Sequence, residues 1–251
     1  VAPSAPASRG AARGGSLPSF PGEGYVARGV SYASQHGKKS IAALVPETDC
    51  GTLAMAQFQQ SAATYGIRVP VIERYKPGAP GDSVKRLAAV RDQFDALFIP
   101  EQAEAMQAVS KELVANGIDS KKVQIFGTGL WNDARTLSLP ALQGAWFTAP
   151  ENAGFNAFAQ RYKAKYGSDP ARVATLAYDA VSLAIALSRS QGSQRYSESV
   201  LTNPSGFNGA DGVFRFKPDG GNERGLSVLE IGGGSAKIIS PAPRNFTGNG
   251  A

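Results

Sequence analysis

The residues best suited to nucleophilic catalysis are Cys50 and His36, the only cysteine and the only histidine of the sequence. A thiol activated by an imidazole requires the two groups within about 3 Å of each other. The apolar run 41–45 between them predicts a buried strand, whose five extended residues hold its ends roughly 16 Å apart. The spacing argues against a Cys–His pair and favours Cys50 as a small apolar loop residue.

Two other short patterns differ from known metal and nucleotide sites. Glu47-Thr-Asp49 offers too few carboxylates for a calcium loop, and acids at a predicted helix start are favoured by the helix dipole. Gly127-Thr-Gly129 follows a predicted strand, as a dinucleotide-binding turn does, but Asn132 stands where the third glycine is required. The sequence therefore predicts no catalytic residue, no metal and no cofactor.

The elements that would position a site alternate regularly between residues 25 and 150. Short apolar runs, typical of strands buried on both faces, are separated by amphipathic helical segments. Such an order requires right-handed crossovers, so the predicted fold class is α/β, with a parallel sheet in a three-layer α/β/α domain. The predicted strands are 41–45, 69–72, 96–99, 123–126 and 145–147, and the predicted helices are 25–35, 51–65, a helix capped by Asp82 or Ser83, and 103–116.

The pattern changes after residue 150. Two consecutive helices are predicted over 155–166 and 173–188. They precede a C-terminal antiparallel hairpin, in which 213–216 pairs with 226–231 around a turn at 218–221 and 237–239 is a candidate third strand. The predicted organisation is a tail or linker at 1–24, an α/β domain at 25–150, helices and hairpin at 151–240, and a tail at 241–251.

Composition and charge restrict the classes of partner. The formal net charge is +6, but Lys and Arg are scattered singly or in pairs without interleaved aromatics, so nucleic-acid binding is not predicted. No apolar run approaches the about 18–20 residues that cross a bilayer, and no signal-peptide pattern is present. A single cysteine cannot form an internal disulfide and leaves the redox compartment open.

The strongest site prediction is positional. Ligands of an open parallel sheet bind outside the carboxyl ends of its strands, which here correspond to 46–51, 75–80, 100–103 and 127–132. These segments carry hydrogen-bonding and stacking groups. An alternative interpretation of the same residues is a set of helix caps and a packed loop tryptophan. The candidate ligand-binding residues are Thr48, Asp49, Glu101, Gln102, Thr128 and Trp131.

Several runs of the sequence, in this order and spacing, resemble a known family. They are LVPETDCG (44–51), IERYKPG (72–78), FDALFIP (94–100), VQIFGTGLW (123–131), LAYDAV (176–181) and FNGADGVFRFKPDG (207–220). Together they are similar to the second lobe, return helix and late hairpin of type I periplasmic binding proteins, the Leu/Ile/Val-binding-protein-like receptors. The resemblance spans about residues 25–239. It implies that residues 25–150 form the second lobe of a two-lobed receptor and that residues 151–240 form part of the first lobe.

The sequence departs from that family at two places. Only the low-complexity stretch 1–24 precedes the second-lobe pattern, so the chain looks truncated at its N-terminus. Amino-acid binders of the family carry an aromatic residue where this chain has Cys50, and an acid for the ligand ammonium where it has Gly129. A buried ammonium without a paired charge is unfavourable by several kcal/mol. A free amino acid is therefore in doubt as the ligand.

One branch of the family is particularly similar. ALFIP (96–100) and IFGTGLW (125–131) resemble penicillin-binding-protein activator lipoproteins, which regulate peptidoglycan synthesis in the periplasm by contacting a synthase. The resemblance implies a non-enzymatic periplasmic protein with a peptidoglycan synthase as partner, and a membrane contact only through a lipid anchor that this chain lacks. The alternative is the substrate-binding component of an ABC importer for amino acids or related small solutes, with a permease as partner. An enzyme is a remote alternative.

Overall fold

The computed structural model describes residues 23–172, 174–218 and 220–246. The predicted tails 1–24 and 241–251 lie outside the described residues, apart from residues 23–24 and 241–246. The helices are α1 (Glu23–Gln35), α2 (Asp49–Thr64), α3 (Gly81–Ala89), α4 (Ala103–Ala115), α5 (Ala134–Leu137), α6 (Asn152–Tyr166), α7 (Ala174–Ser190) and α8 (Glu198–Leu201). The strands are β1 (Ile41–Pro46), β2 (Ile72–Tyr75), β3 (Ala96–Phe98), β4 (Gln124–Gly127), β5 (Trp146–Ala149), β6 (Phe207–Gly209), β7 (Gly212–Phe216), β8 (Asn222–Arg224), β9 (Ser227–Gly232) and β10 (Ser235–Ser240).

The chain divides into two compact units. The first, here called the sheet unit, comprises the described residues up to 149 together with 227–241. Its sheet has the strand order β10-β9-β5-β4-β3-β1-β2. β1 to β5 run parallel, with Ile41 opposite Ala96 in β3 and Ala43 opposite Ile72 in β2. The prediction that 41–45 and 96–99 are parallel neighbours is confirmed.

Helices cover both faces of this sheet because its strands are apolar on both faces. In β1, Ala42 and Leu44 belong to one buried cluster and Ile41, Ala43 and Val45 to the other. The first cluster includes Met106, Val109 and Leu113 of α4, whose spacings of three and four residues form one helix face. The second includes Val26 and Val30 of α1 and Phe58 of α2. The predicted α/β/α layering is thus confirmed.

The second unit, here called the helical unit, comprises residues 150–226 together with 242–246. It contains α6, α7, α8 and an antiparallel sheet of order β6-β7-β8. Phe158 of α6 packs on Tyr178 of α7, with ring centroids 5.1 Å apart. Asp179, also on α7, is buried and accepts a hydrogen bond from the Ala210 backbone N–H at 2.6 Å. This bond ties α7 to the turn between β6 and β7.

The structure corrects three details of the prediction. Residues 213–216 form β7, but β7 pairs with β6 and β8, whereas 226–231 lies in β9, which pairs with β5 in the sheet unit. The candidate strand at 237–239 is confirmed, since it lies in β10, the antiparallel partner of β9. The predicted segment 151–240 is therefore divided between the two units. The strand predicted at 69–72 begins only at Ile72 and lies at the sheet edge, since Pro70 has no N–H to donate.

Candidate functional site

The carboxyl ends of four parallel strands lie along one edge of the sheet unit. We call the loops that follow β1, β2, β3 and β4 the rim; they are residues 46–51, 75–80, 100–103 and 127–132. Because β1, β3 and β4 are adjacent strands, the loops that carry all the predicted site residues are neighbours. The structure thus brings the predicted segments to one edge of the sheet, where α2 and α4 begin.

Of two predicted residues at helix N-cap positions, one caps its helix with its side chain, as the alternative interpretation proposed, and one does not. The Thr48 hydroxyl accepts a hydrogen bond from the Gly51 backbone N–H at 3.0 Å and is the N-cap of α2. Gln102 is the N-cap residue of α4, but its side chain makes no capping bond. Asp49 is exposed at the first position of α2. Gln102 and Asp49 therefore leave their polar groups available at the rim, whereas the Thr48 oxygen is already engaged.

Glu101 is a buried carboxylate held by two donors. Its Oε2 accepts a short hydrogen bond from the Tyr75 hydroxyl, and its Oε1 accepts the Gln102 backbone N–H at 2.7 Å. Burial of Tyr75, followed by the negative charge and hydrogen bond of Glu101, raises the pKa of the Tyr75 hydroxyl well above its ordinary value. Both carboxylate oxygens are used within the protein, so Glu101 links the β2 and β3 loops.

The pairing of Tyr75 with Glu101 is expected to make the folded protein less stable at high pH. A tyrosine in the unfolded chain loses its proton near pH 10, whereas folded Tyr75 keeps its proton to higher pH. A raised folded pKa stabilises the protein fully below pH 10, and this contribution is lost as the pH rises above that value. Urea unfolding between pH 8 and 11 is expected to show a smaller alkaline loss in Tyr75→Phe than in the unchanged chain. Tyr166→Phe, which alters an exposed tyrosine, should retain the full loss, and an unchanged slope in Tyr75→Phe would contradict the assignment.

Thr128 and Trp131 are buried more deeply than predicted. Both are 0% exposed, and the indole lies in the core cluster beneath the rim, so the structure places Trp131 in packing and not on a surface available for stacking. The indole covers the α-carbon of Gly127, where any side chain would collide with it. Among the described residues, the Thr128 Oγ1 and the Trp131 Nε1 have no hydrogen-bond partner.

Tyr25 is a rim residue that the sequence analysis placed in a helix but did not identify as part of the site. A side chain on Gly129 would lie 2.9 Å from the Tyr25 ring and 3.2 Å from the Thr148 carbonyl oxygen. The Thr148 hydroxyl donates a hydrogen bond to the Tyr25 carbonyl oxygen at 2.9 Å, which fixes the start of α1 beside β5. The sequence could have indicated this position through topology, because a helix that precedes a parallel strand starts at the carboxyl edge of the sheet. The half-buried Tyr25 ring therefore lies at the rim, against Gly129.

The remaining chemical candidates are separated as predicted. Cys50 is half-buried in the first turn of α2 at the rim, whereas His36 follows the end of α1, before β1. The His36 ring stacks on Tyr32 at 3.8 Å and approaches Trp146 at 6.0 Å. Within the described ranges, no three His, Cys, Asp or Glu side chains are grouped to hold a metal ion. No helix in the same ranges is long and apolar enough to span a membrane.

Comparison with known proteins agrees with this architecture. A family model described as periplasmic binding protein matches residues 17–236. No curated protein is a significant match to the sequence.

Solved structures that match the chain share its fold. One is a putative branched-chain amino acid ABC transporter protein from Rhodospirillum rubrum, with 22% identity and a TM-score of 0.74 over 86% of this chain and 65% of that one. Another is a leucine-binding protein from Thermotoga maritima, with 20% identity and a TM-score of 0.64 over 88% and 65% of the two chains. A third is an ABC transporter solute-binding protein from Rhodopseudomonas palustris in complex with 3,4-dihydroxybenzoic acid, with 19% identity and a TM-score of 0.62 over 89% and 65%. The chain thus spans about 65% of the length of these proteins.

Proposed function

The chain belongs to the periplasmic binding protein family, with the fold of its Leu/Ile/Val-binding-like type I members, and from that premise we propose that it binds a small organic solute as a component of an ABC importer. The rim of the sheet unit is the solute-contacting surface. The permease of the importer is the protein partner, and the compartment is the periplasm. The role is binding and delivery without chemical conversion of the solute.

The observation that carries this proposal is the convergence of polar groups and helix starts at one edge of a parallel sheet. α1, α2 and α4 all begin there, and Asp49 and the Gln102 side chain leave polar groups available at this edge. The same edge is where ligands bind in open α/β sheets.

Two functions within the family compete. The sequence resemblance to penicillin-binding-protein activators favours a peptidoglycan synthase as partner. The matching structures favour the importer, since their names include a branched-chain amino acid transporter, a leucine-binding protein and a solute-binding protein with an aromatic acid. These comparisons support the importer better than the activator.

A thermal-shift measurement with a panel of small solutes tests the proposal. The panel contains aliphatic amino acids, amides and aromatic acids. At a concentration 100 times its Kd, a bound solute stabilises the folded chain by about 2.7 kcal/mol, enough to raise the melting temperature by several degrees. We expect at least one member of the panel to do so.

Two matched variants locate the binding. Gln102→Ala removes a polar group that the rim leaves available and is expected to reduce the shift. Gln107→Ala makes the same change at an exposed position of α4 outside the rim and should leave the shift unchanged. If no solute raises the melting temperature and the purified chain instead retains a peptidoglycan synthase, the importer is refuted and the activator takes its place.

A further inference from the structure

Four loops at the edge of the sheet opposite the rim concentrate positive charge. They precede β1, β2, β3 and β4, and we call them the amino edge; they are residues 36–40, 65–71, 90–95 and 116–123. Along the sequence their cations stand singly or in pairs, but β4, β3, β1 and β2 are adjacent strands, so the fold brings the cations into one row. Since neighbouring strands lie about 4.8 Å apart, the row extends over roughly 15 Å. Its cations are Lys38, Lys39, Arg68, Arg91, Lys121 and Lys122, of which all but the half-buried Lys38 are exposed.

Side-chain contacts show that these loops adjoin. An added side chain on Gly117 would lie 3.8 Å from the Arg91 guanidinium and 4.0 Å from the Lys122 ammonium, so cations of two loops approach the same point. The Arg68 guanidinium donates a hydrogen bond to the Gln93 carbonyl oxygen and so joins the loop before β2 to the loop before β3. The cations therefore form a contiguous patch.

The two edges of the sheet differ in charge. The acids of the amino edge are Asp92, Asp95 and Asp119, so its excess of three positive charges is half of the formal net charge of +6 that the whole chain carries. The rim loops carry three acids and only one cation, Lys76. An anionic surface therefore attracts the amino edge and repels the rim.

The fold itself does not require these cations. Arg91 and Lys122 lie 3.9 Å from Asp92 and Asp119, and within the described chain no acid pairs with the other four cations. α1, α2 and α4 end at this edge, but none of them has a basic residue in its last turn, so stabilisation of a helix dipole does not account for the row. The charges are thus available to a partner.

We propose that the amino edge is a docking surface for a bilayer rich in anionic phospholipids. A row of exposed cations on short loops suits a flat surface of phosphate groups. Tyr65, 41% exposed at the same edge, adds an amphipathic ring of the kind enriched at membrane interfaces. The choice of lipid over nucleic acid or an acidic protein rests on the proposed function, which operates beside a membrane. The contact is peripheral and leaves the rim open to solute.

Co-sedimentation of the full chain with lipid vesicles tests the proposal. One set contains phosphatidylcholine with about one-third phosphatidylglycerol, and the other contains phosphatidylcholine alone. We expect the chain to bind the anionic set at least about tenfold more tightly, and to lose this preference as salt rises from about 0.05 to 0.5 M, because salt screens exposed charges. Lys39→Gln combined with Lys121→Gln should weaken binding about 30-fold, since each basic residue near an anionic surface contributes about fivefold.

Lys76→Gln combined with Lys85→Gln is the matched control. Both lysines are exposed, and their removal lowers the net charge equally, but Lys76 lies in the rim and Lys85 in α3. Binding should fall less than about threefold, because these charges are screened from the bilayer. Equal losses in the two double variants, or equal binding to the two sets of vesicles, would overturn the proposal.

Polyglutamate and a single-stranded DNA oligonucleotide distinguish the other anionic partners. Tighter binding to either of them than to the anionic vesicles at the same salt concentration would reassign the amino edge and overturn the membrane contact. The solute-induced shift in melting temperature should be unchanged in the Lys39→Gln and Lys121→Gln double variant. Vesicle binding and this shift are separate measurements, so a failure of the membrane contact leaves the importer intact.

Discussion

Replacing Asp179 with alanine is expected to lower the free energy of unfolding of the helical unit by about 3 kcal/mol, as measured by urea unfolding. Asp179 is 3% exposed, accepts the Ala210 N–H at 2.6 Å and lies 3.5 Å from the guanidinium of Arg224. Its removal leaves a largely buried guanidinium and a backbone N–H without their acceptor. Asp179→Asn retains an acceptor for Ala210 and should fall between the unchanged chain and Asp179→Ala.

Asp169→Ala is the matched control for this prediction. Asp169 also pairs with a cation, Lys163 at 3.1 Å, but the two side chains are 72% and 61% exposed. An exposed pair contributes about 0–1 kcal/mol, so this change should be nearly neutral. Equal losses in the two alanine variants would show that burial of Asp179 does not stabilise the unit.

Gly51→Ala is expected to destabilise the sheet unit by about 2–3 kcal/mol, the opposite of what helix propensity alone predicts. Gly51 lies in the first turn of α2, and a side chain there would collide with the Pro46 carbonyl oxygen. Glycine lets α2 begin directly after β1, which places Thr48, Asp49 and Cys50 at the rim. Thermal and urea unfolding measure the loss.

Gly24→Ala separates this steric effect from propensity. Gly24 lies in α1 with no atom within 4 Å of the position of an added side chain. Its replacement should therefore leave stability unchanged or raise it by up to about 1 kcal/mol. A stabilising Gly51→Ala would mean that α2 does not approach β1 as closely as the structure shows.

The parallel sheet was predictable because its strands are distinctive in composition. Residues 41–45 form an uninterrupted apolar run, every residue of β1 is buried, and β3 is equally apolar and buried. Each run is followed by an amphipathic helix, which leaves few topologies open. Strand identity and parallel direction thus follow from local sequence, as does the placement of the rim.

The position of β9 could not be predicted in the same way. Residues 226–231 follow β7 and β8 along the chain, so local spacing favours a hairpin with 213–216. The structure instead pairs β9 with β5, with Trp146 opposite Glu230 and Thr148 opposite Val228. This choice depends on a contact between segments about 80 residues apart, and no local pattern encodes it.

Within the site, chain position was more predictable than side-chain environment. The rim loops were predicted correctly, but Thr48 caps α2 and Trp131 lies in the core. Trp131 is buried because Gly127 leaves room for an indole over the backbone, and one sequence does not show which side chain fills that room. Tyr25 was not identified as a rim residue because its position there arises from a contact with Gly129, 104 positions later in the sequence.

Mapping the bound solute by NMR tests the central claim most directly. The amide signals of the isotope-labelled chain are followed while the solute that stabilises it best is added. Binding at the rim predicts that signals of residues 48–51, 101–103 and 128–130 move, together with that of Tyr25. Movement confined to the opposite edge of the sheet, around His36 and Trp146, or no movement at saturating solute, would contradict the account.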